Sequence, residues 1–291
     1  MAFCTNCSNP IPDGSRFCGN CGAQQGSVMR QALAPGMMEK NGIRFTAADV
    51  IDYEIFGDDM QLVEIELDPG ESVLAEAGAM NYMESCIKME TIFGDGSGSD
   101  HNRGFGGKLL NAGKRALTGE GLFMTVFTNS APDRKAKVAF ASPYPGKIIP
   151  VDLDTFDRTL ICQKSAFLCA AKGVNIDIYL QKKLGAGLFG GEGFIMQKLS
   201  GNGIAFIEID GHATEYELSA GQELLVSTGY LAAMEESCTM DVVTVKGAKN
   251  MLLGGEGIFN TVVRGPGKVI LQTMPISKVA ELLMPFFSNK K

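Results

Sequence analysis

The sequence predicts an all-β protein: a pseudo-threefold repeat of antiparallel strands forming a barrel or prism, preceded by a small zinc ribbon. Three observations predict it. The first is a phrase written three times, as Leu117-Thr-Gly-Glu120-Gly-Leu-Phe, Leu188-Phe-Gly-Gly-Glu192-Gly-Phe and Leu252-Leu-Gly-Gly-Glu256-Gly-Ile-Phe. The glutamates lie 72 and 64 residues apart, as one supersecondary unit used three times would place them. The second is strand periodicity. Gln61–Leu67, Val174–Ile178 and Ile204–Ile209 alternate apolar and polar residues, the period of a strand buried on one face. The third is a pair of knuckles, Cys4-Thr-Asn-Cys7 and Cys18-Gly-Asn-Cys21.

The knuckles come first along the chain. A two-residue gap lets two thiolates of one tight turn ligate a single ion while backbone N–H groups donate to the sulfurs. Two such turns complete a tetrahedral four-cysteine site with no open position, which points to structural rather than catalytic zinc. Gly19 and Gly22 suit the positive φ of such turns. Two disulfides or a redox pair are the alternatives. A segment of roughly 25 residues needs a staple to fold, and zinc supplies it. The expected cofactor is one Zn2+ per chain, held by Cys4, Cys7, Cys18 and Cys21. Cys86, Cys162, Cys169 and Cys238 stand singly in apolar surroundings and read as buried thiols acting as small hydrophobes.

The ribbon is expected over residues 1–25 and a flexible linker over 26–42, where Ala34-Pro35-Gly36 and Asn41-Gly42 break any period. The repeat domain follows over 43–276. Before each Gly-Glu-Gly comes a Gly- and Lys-rich connector, with Lys108, Lys114 and Arg115, then Lys182 and Lys183, then Lys246 and Lys249. A second phrase places Gly70, Gly146 and Gly221 at the head of a strand in each unit. Similar text also joins Glu84-Ser-Cys86 to Glu236-Ser-Cys238, while Ser165 stands where the outer units have Gly78 and Gly229. A unit of this size cannot cover its own apolar face, but three packed together can. Residues 277–291 form a C-terminal helical tail, with a helix over Ser277–Met284 capped by its serine and ending before Pro285.

At this point the chain resembles the family named for altered inheritance rate of mitochondria. The resemblance runs from about Ile43 to Ile276. It rests on the Gly-Glu-Gly phrases with their Lys-rich connectors and on Ala77-Gly-Ala-Met80-Asn-Tyr-Met-Glu-Ser85. It implies a fold similar to the tryptophan RNA-binding attenuator protein (a TRAP-like fold), here repeated within one chain, and it implies no catalytic residues. Eukaryotic relatives are associated with mitochondrial inner-membrane organisation. The ribbon is an addition to that core and resembles the short zinc ribbons at the N-terminus of many bacterial proteins.

Composition narrows the function. The formal net charge of −7 argues against nucleic acid, whose binders carry a basic face. No apolar run reaches the roughly 20 residues of a spanning helix, and the first residues lack a signal-peptide pattern, so the chain reads as cytoplasmic. Two histidines, His101 and His212, have no neighbouring nucleophile and orienting acid, and both read as solvated loop residues. The stretch Gly94–Gly107 lacks the Gly-Lys-Ser/Thr of a phosphate loop. The repeat glutamates serve as turn residues capping backbone N–H groups, or else Glu120, Glu192 and Glu256 form a ring for a cation or a basic partner. The expected function is a non-enzymatic binding or assembly scaffold with a protein partner or self-association. The alternatives are a peripheral membrane protein using Val279–Lys291, with its Leu-Leu-Met-Pro-Phe-Phe run, and a cation-dependent enzyme using the glutamate ring.

Overall fold

The structure, a computed structural model, describes residues 2–4, 7, 9–11, 18, 20–22, 38–40, 43–45, 50–93, 123–182, 194–244 and 259–287. Two short hairpins lead the chain. Strand β1 (Ala2–Phe3) pairs with β2 (Pro10–Ile11), and β3 (Met38–Lys40) pairs with β4 (Ile43–Phe45). The end of the expected linker is therefore strand, not coil. Strand β5 (Asp52–Phe56) follows.

Three units of six strands then repeat one topology. The first holds β6 (Leu62–Leu67), β7 (Ser72–Glu76), β8 (Met80–Met83), β9 (Ile87–Phe93), β10 (Phe123–Asn129) and β11 (Ala136–Ala141). The second holds β12 (Gly146–Asp152), β13 (Thr159–Gln163), β14 (Phe167–Ala171), β15 (Asn175–Lys182), β16 (Phe194–Ser200) and β17 (Ile204–Asp210). The third holds β18 (Ala213–Leu218), β19 (Glu223–Ser227), β20 (Leu231–Glu235), β21 (Thr239–Thr244), β22 (Phe259–Arg264) and β23 (Gly267–Gln272). In each unit the sixth strand lies between the first and third, and the fifth lies between the second and fourth, all antiparallel. Each unit is thus a pair of three-stranded sheets facing one another. The third strand of every unit carries the same register shift, at Asn81, Leu168 and Ala232. Bulges placed alike in three units mark a repeated structural device.

The units join edge to edge. Strand β7 pairs with β14, and β13 pairs with β20, which fuses the half-sheets into two six-stranded sheets. Four layers result: β5-β6-β11-β8, β12-β17-β14-β7-β10-β9, β15-β16-β13-β20-β23-β18 and β19-β22-β21. Three cores fill the spaces between them, one per unit. Val63, Ile65 and Leu67 meet Val73 and Phe127 in the first, where Phe127 and Phe140 pack edge to face at 5.1 Å. Ile149, Leu160, Phe167, Leu199 and Ile207 build the second, and Ile161, Phe194, Leu218, Met234 and Val263 the third. Burying each such side chain contributes about 1.5–3 kcal/mol. The sheets remain open at their edges among the described residues.

The alternation expected of β6 is present, with Val63, Ile65 and Leu67 buried and their neighbours half-buried. Strand β17 is different. It lies between β12 and β14 and is buried on both faces over nearly its whole length. Ala205, Ile207 and Ile209 enter one core while Phe206 enters another, so Glu208 is buried rather than solvated.

Register corrects two sequence alignments. Gly146 opens β12, the first strand of its unit, whereas Gly70 and Gly221 precede the second strands β7 and β19. The counterpart of those glycine turns is Asp157-Arg158, both at positive φ, before β13. Non-glycine residues in the left-handed region concealed the match, since Gly is the residue expected there. The phrases Glu84-Ser-Cys86 and Glu236-Ser-Cys238 are also one residue out of step. Glu84 accepts the backbone N–H of Lys137, and Glu235 accepts that of Lys268 in the equivalent place, so Ile87 and Cys238 correspond. Ser165, by contrast, falls in the 3-10 turn Lys164–Ala166 between β13 and β14, the place of Gly78 and Gly229 in the outer units.

Helix α1 spans Ile276–Phe287. Its first turn is tied by Asp210, which accepts the Ile276 N–H at 2.8 Å, and not by a Ser277 cap as the sequence suggests. It also runs past Pro285. A proline there forfeits one hydrogen bond in the last turn, where carbonyls lose their intrahelical partners in any case.

Candidate metal centre

The described residues bring together one group of three or more potential metal ligands: Cys4, Cys7, Cys18 and Cys21, whose Sγ atoms all lie within 4.8 Å of one another. The ribbon's strands make the site. Pairing of Ala2 with Ile11 and Phe3 with Pro10 folds the first knuckle back, and the Cys4 N–H donates to the Asn9 carbonyl at 2.8 Å. The second knuckle closes when the Gly22 N–H donates to the Cys18 carbonyl at 2.8 Å. Cys4 and Cys18 are 3 % and 1 % exposed, while Cys7 and Cys21 are half-buried.

The sulfurs Cys4–Cys21 and Cys7–Cys18 are each 3.5 Å apart. That is far beyond a disulfide bond of about 2.05 Å. It is close to the edge of about 3.8 Å of a tetrahedron with Zn–S bonds of about 2.3 Å. All four cysteines are free thiols. The donor set fits a tetrahedral metal ion and leaves no place for a fifth ligand or substrate. Hydrogen bonds that favour thiolate surround it: the Cys7 N–H points at Cys4 Sγ (3.4 Å) and the Asn20 amide at Cys7 Sγ (3.7 Å). Burial opposes ionisation of Cys7, but the Asn9 backbone, the Asn20 amide and the neighbouring thiols outweigh it and lower its pKa. Burial raises that of Cys18.

The ribbon ends against the β body. Gly22 has φ +73°, and a Cβ added there would lie 2.5 Å from the Ile148 carbonyl oxygen of β12. No other residue fits that approach. On the same stretch the Ile148 N–H donates to Gln61 Oε1 at 2.7 Å, and Gln61 Nε2 holds the Gly57 carbonyl at 3.1 Å. The positive φ expected of Gly22 is present; Gly19 lies outside the described residues.

Other sequence candidates divide by location. Glu120, Glu192 and Glu256 lie outside the described residues, as do His101, the Gly94–Gly107 stretch, Lys108 and most of the connector cations. Each glutamate stands eight residues before equivalent register positions, Thr128, Ser200 and Arg264, which pair with Ser72, Thr159 and Glu223. Their equivalence in the repeat is thereby consistent with strand pairing. His212 is exposed in the turn between β17 and β18, its N–H donating to Thr273 Oγ1 at 2.9 Å. Cys162, Cys169 and Cys238 are buried, and burial raises all three thiols, Cys238 to about 11. Cys86 is only half-buried, with the Arg134 guanidinium 3.4 Å from its sulfur, because it occupies a turn position one residue before the buried Ile87.

Sequence reasoning missed a buried carboxyl. Glu208 is 9 % exposed, and burial pushes its pKa up to about 8, with Glu76 and Asp210 adding to the shift and Ser142 opposing it. Its Oε2 makes no hydrogen bond. A signal existed in the apolar residues on both sides of it, which exceed what a half-exposed strand requires.

Comparison with known proteins agrees with this architecture. Residues 3–25 match the zinc-ribbon domain. Residues 53–274 match the family described as Mitochondrial biogenesis AIM24. An uncharacterized protein of Streptococcus pyogenes serotype M6 is 29 % identical over 235 residues, covering 78 % of this chain and 88 % of its own. An X-ray crystal structure of a Streptococcus pyogenes protein has a TM-score of 0.62 at 22 % identity, over 81 % of this chain and 99 % of that one. With the family model matching most of its length, from β5 through β23, the chain belongs to the Mitochondrial biogenesis AIM24 family and carries an N-terminal zinc-ribbon domain.

Proposed function

We propose that the chain is a non-enzymatic scaffold in the cytoplasm, on which one structural zinc ion per chain holds an adaptor ribbon for a protein partner. The observation that carries this reading is the closed set of four cysteine sulfurs, all within 4.8 Å of one another. With every tetrahedral position taken by Cys4, Cys7, Cys18 and Cys21, the metal has no site to activate water or substrate, and its contribution is folding free energy. The seat of Gly22 on Ile148 supports the ribbon's role as an attached module. Metal analysis of the full chain tests it. One zinc per chain, lost in Cys7→Ser and Cys18→Ser, supports the reading. Divalent metal retained by both variants and released by Glu120→Gln, Glu192→Gln or Glu256→Gln favours the glutamate-ring enzyme instead.

A second reading, association with a membrane surface, is favoured by α1. No helix among the described residues is long and apolar enough to cross a membrane. Yet Leu282, Leu283, Phe286 and Phe287 are 73, 48, 80 and 76 % exposed, so these four apolar side chains are not covered by the β body. Such a face is suited to lipid. Co-sedimentation with liposomes, lost in a Leu282→Ser/Phe286→Ser variant, supports it; equal and negligible pelleting of both proteins ends it.

A further inference from the structure

The three units are built alike, but they are joined only twice. Each internal join pairs the second strand of one unit with the third strand of another. Val73, Leu74 and Ala75 face Ala171, Ala170 and Cys169. Leu160, Ile161 and Cys162 face Glu235, Met234 and Ala233. The strands left over are β19, the second of its unit, and β8, the third of its unit. Both end their sheets.

Burial shows what the missing join costs. Strands β13 and β14 are buried throughout, and β7 and β20 in all but the last residue. Their counterpart β8 has Met80, Asn81 and Tyr82 exposed and Met83 half-buried. In β19, Leu225 is 62 % exposed. A groove of about 370 Å³ lined by Tyr216, Leu224, Leu225, Tyr230, Leu271 and Lys278 runs beside that edge.

The other sheet edges carry the protection that edges usually need. Strand β5 has Asp52 and Glu54, β9 has Lys88 and Glu90, and β12 has Lys147 and Pro150. Strand β15 has Asp177, β18 has Glu215 and Glu217, and β21 has Asp241. Strand β8 reads Met-Asn-Tyr-Met, without charge or proline, and β19 is charged only at its first residue, Glu223. Its bulge does not disqualify β8 from pairing, because the same bulge in β14 and β20 lies in strands paired on both sides.

We infer that β19 of one chain pairs antiparallel with β8 of a second copy, repeating the internal joins in register. Translating that register gives Leu224 opposite Glu84, Leu225 opposite Met83 and Val226 opposite Tyr82. The central Leu225–Met83 pair takes the place of Leu74–Ala170 and Ile161–Met234. The occupant is a second copy because the two edges are complementary in kind and yet unpaired with one another within the chain. The contact is heterologous, so reciprocal pairing of two chains, or a larger closed ring, satisfies both edges of every chain. The inference names a partner for the scaffold proposed above and draws its biological sense from that reading, but its geometry is independent of the ribbon and its metal.

The test uses the full chain. Light scattering is expected to give a mass at least twice the 31.0 kDa of one chain, falling to one chain in Leu225→Lys and in Asn81→Pro. Both sites are exposed, and an unchanged circular dichroism spectrum shows that the fold survives. Copies carrying only Leu225→Cys, mixed with copies carrying only Met83→Cys and mildly oxidised, are expected to yield a mixed dimer bridged between those two positions, absent from wild type. A monomer at every concentration overturns the inference. So does a double variant that forms the bridge within one chain, which would mean that the chain closes its own third join. Either failure leaves the zinc stoichiometry, and with it the scaffold reading, to stand or fall separately.

Discussion

Asp210 and Ile276 are joined by a hydrogen bond of 2.8 Å from the Ile276 N–H to Asp210 Oδ2. It connects the end of a strand buried in the body to the first turn of the helix that displays the apolar face. The carboxylate thereby satisfies an N-terminal N–H of α1 from a distant part of the sequence.

Asp210→Ala is therefore expected to loosen α1 at a cost of about 1 kcal/mol. Faster amide exchange over 276–287, with the β sheets unchanged, would be the signature. Ser277→Ala should have a smaller effect, since α1 already includes Ser277 in its first turn.

Glu208 gives the stability a definite pH dependence. Its pKa is raised in the folded chain to about 8 from an ordinary 4.5, so the folded state binds the proton more tightly than the unfolded state. Stability is then fully present below about pH 4.5 and is lost as pH rises through about 8. Glu208→Gln mimics the protonated form. It is expected to raise the melting temperature at pH 8.5 by an amount equivalent to about 1–3 kcal/mol and to leave it nearly unchanged at pH 5. Equal effects at both pH values would refute the assignment.

Gly22→Ala sets a Cβ 2.5 Å from the Ile148 carbonyl and strains a residue at φ +73°. The expected cost is about 1 kcal/mol or more, expressed as release of the ribbon from β12. Limited proteolysis between ribbon and body should quicken while zinc remains bound. Zinc loss instead would place the strain inside the metal site.

Acid should release the metal, because protons compete for the thiolates that hold it. Zinc retention measured against pH is expected to fall in one step, and Asn20→Ala, which removes the amide beside Cys7 Sγ but keeps all four sulfurs, should move that step towards neutral pH. A chain that keeps its zinc in strong acid would not be using four thiolates.

Much of this was legible in the sequence, for reasons that can be located. The cysteine spacing identified the ribbon because two-residue gaps dictate geometry locally. Gly-Glu-Gly marks the repeat because each glutamate stands eight residues before an equivalent register position of a paired strand. The second unit was misaligned because Asp157 and Arg158 adopt a backbone conformation that sequence habit assigns to glycine. The stretch Ile204–Ile209 reads as a strand buried on one face because periodicity cannot distinguish a solvated face from a second core, and Glu208 lies within it. The Asp210–Ile276 bond spans 66 residues, and nothing in local sequence announces a cap supplied from so far away. The unfinished join of β8 and β19 is visible only when all three units are laid in register.

The central claim is that zinc organises the ribbon while the threefold β body stands on its own. Hydrogen exchange of the full chain, with metal and after chelation, tests it most directly. The account predicts that chelation removes protection from Cys4 to Gly22 and exposes the nearby edge of β12, while the joins β7–β14 and β13–β20 keep theirs. Loss of protection across those joins would contradict it, since the metal would then be holding the body together as well.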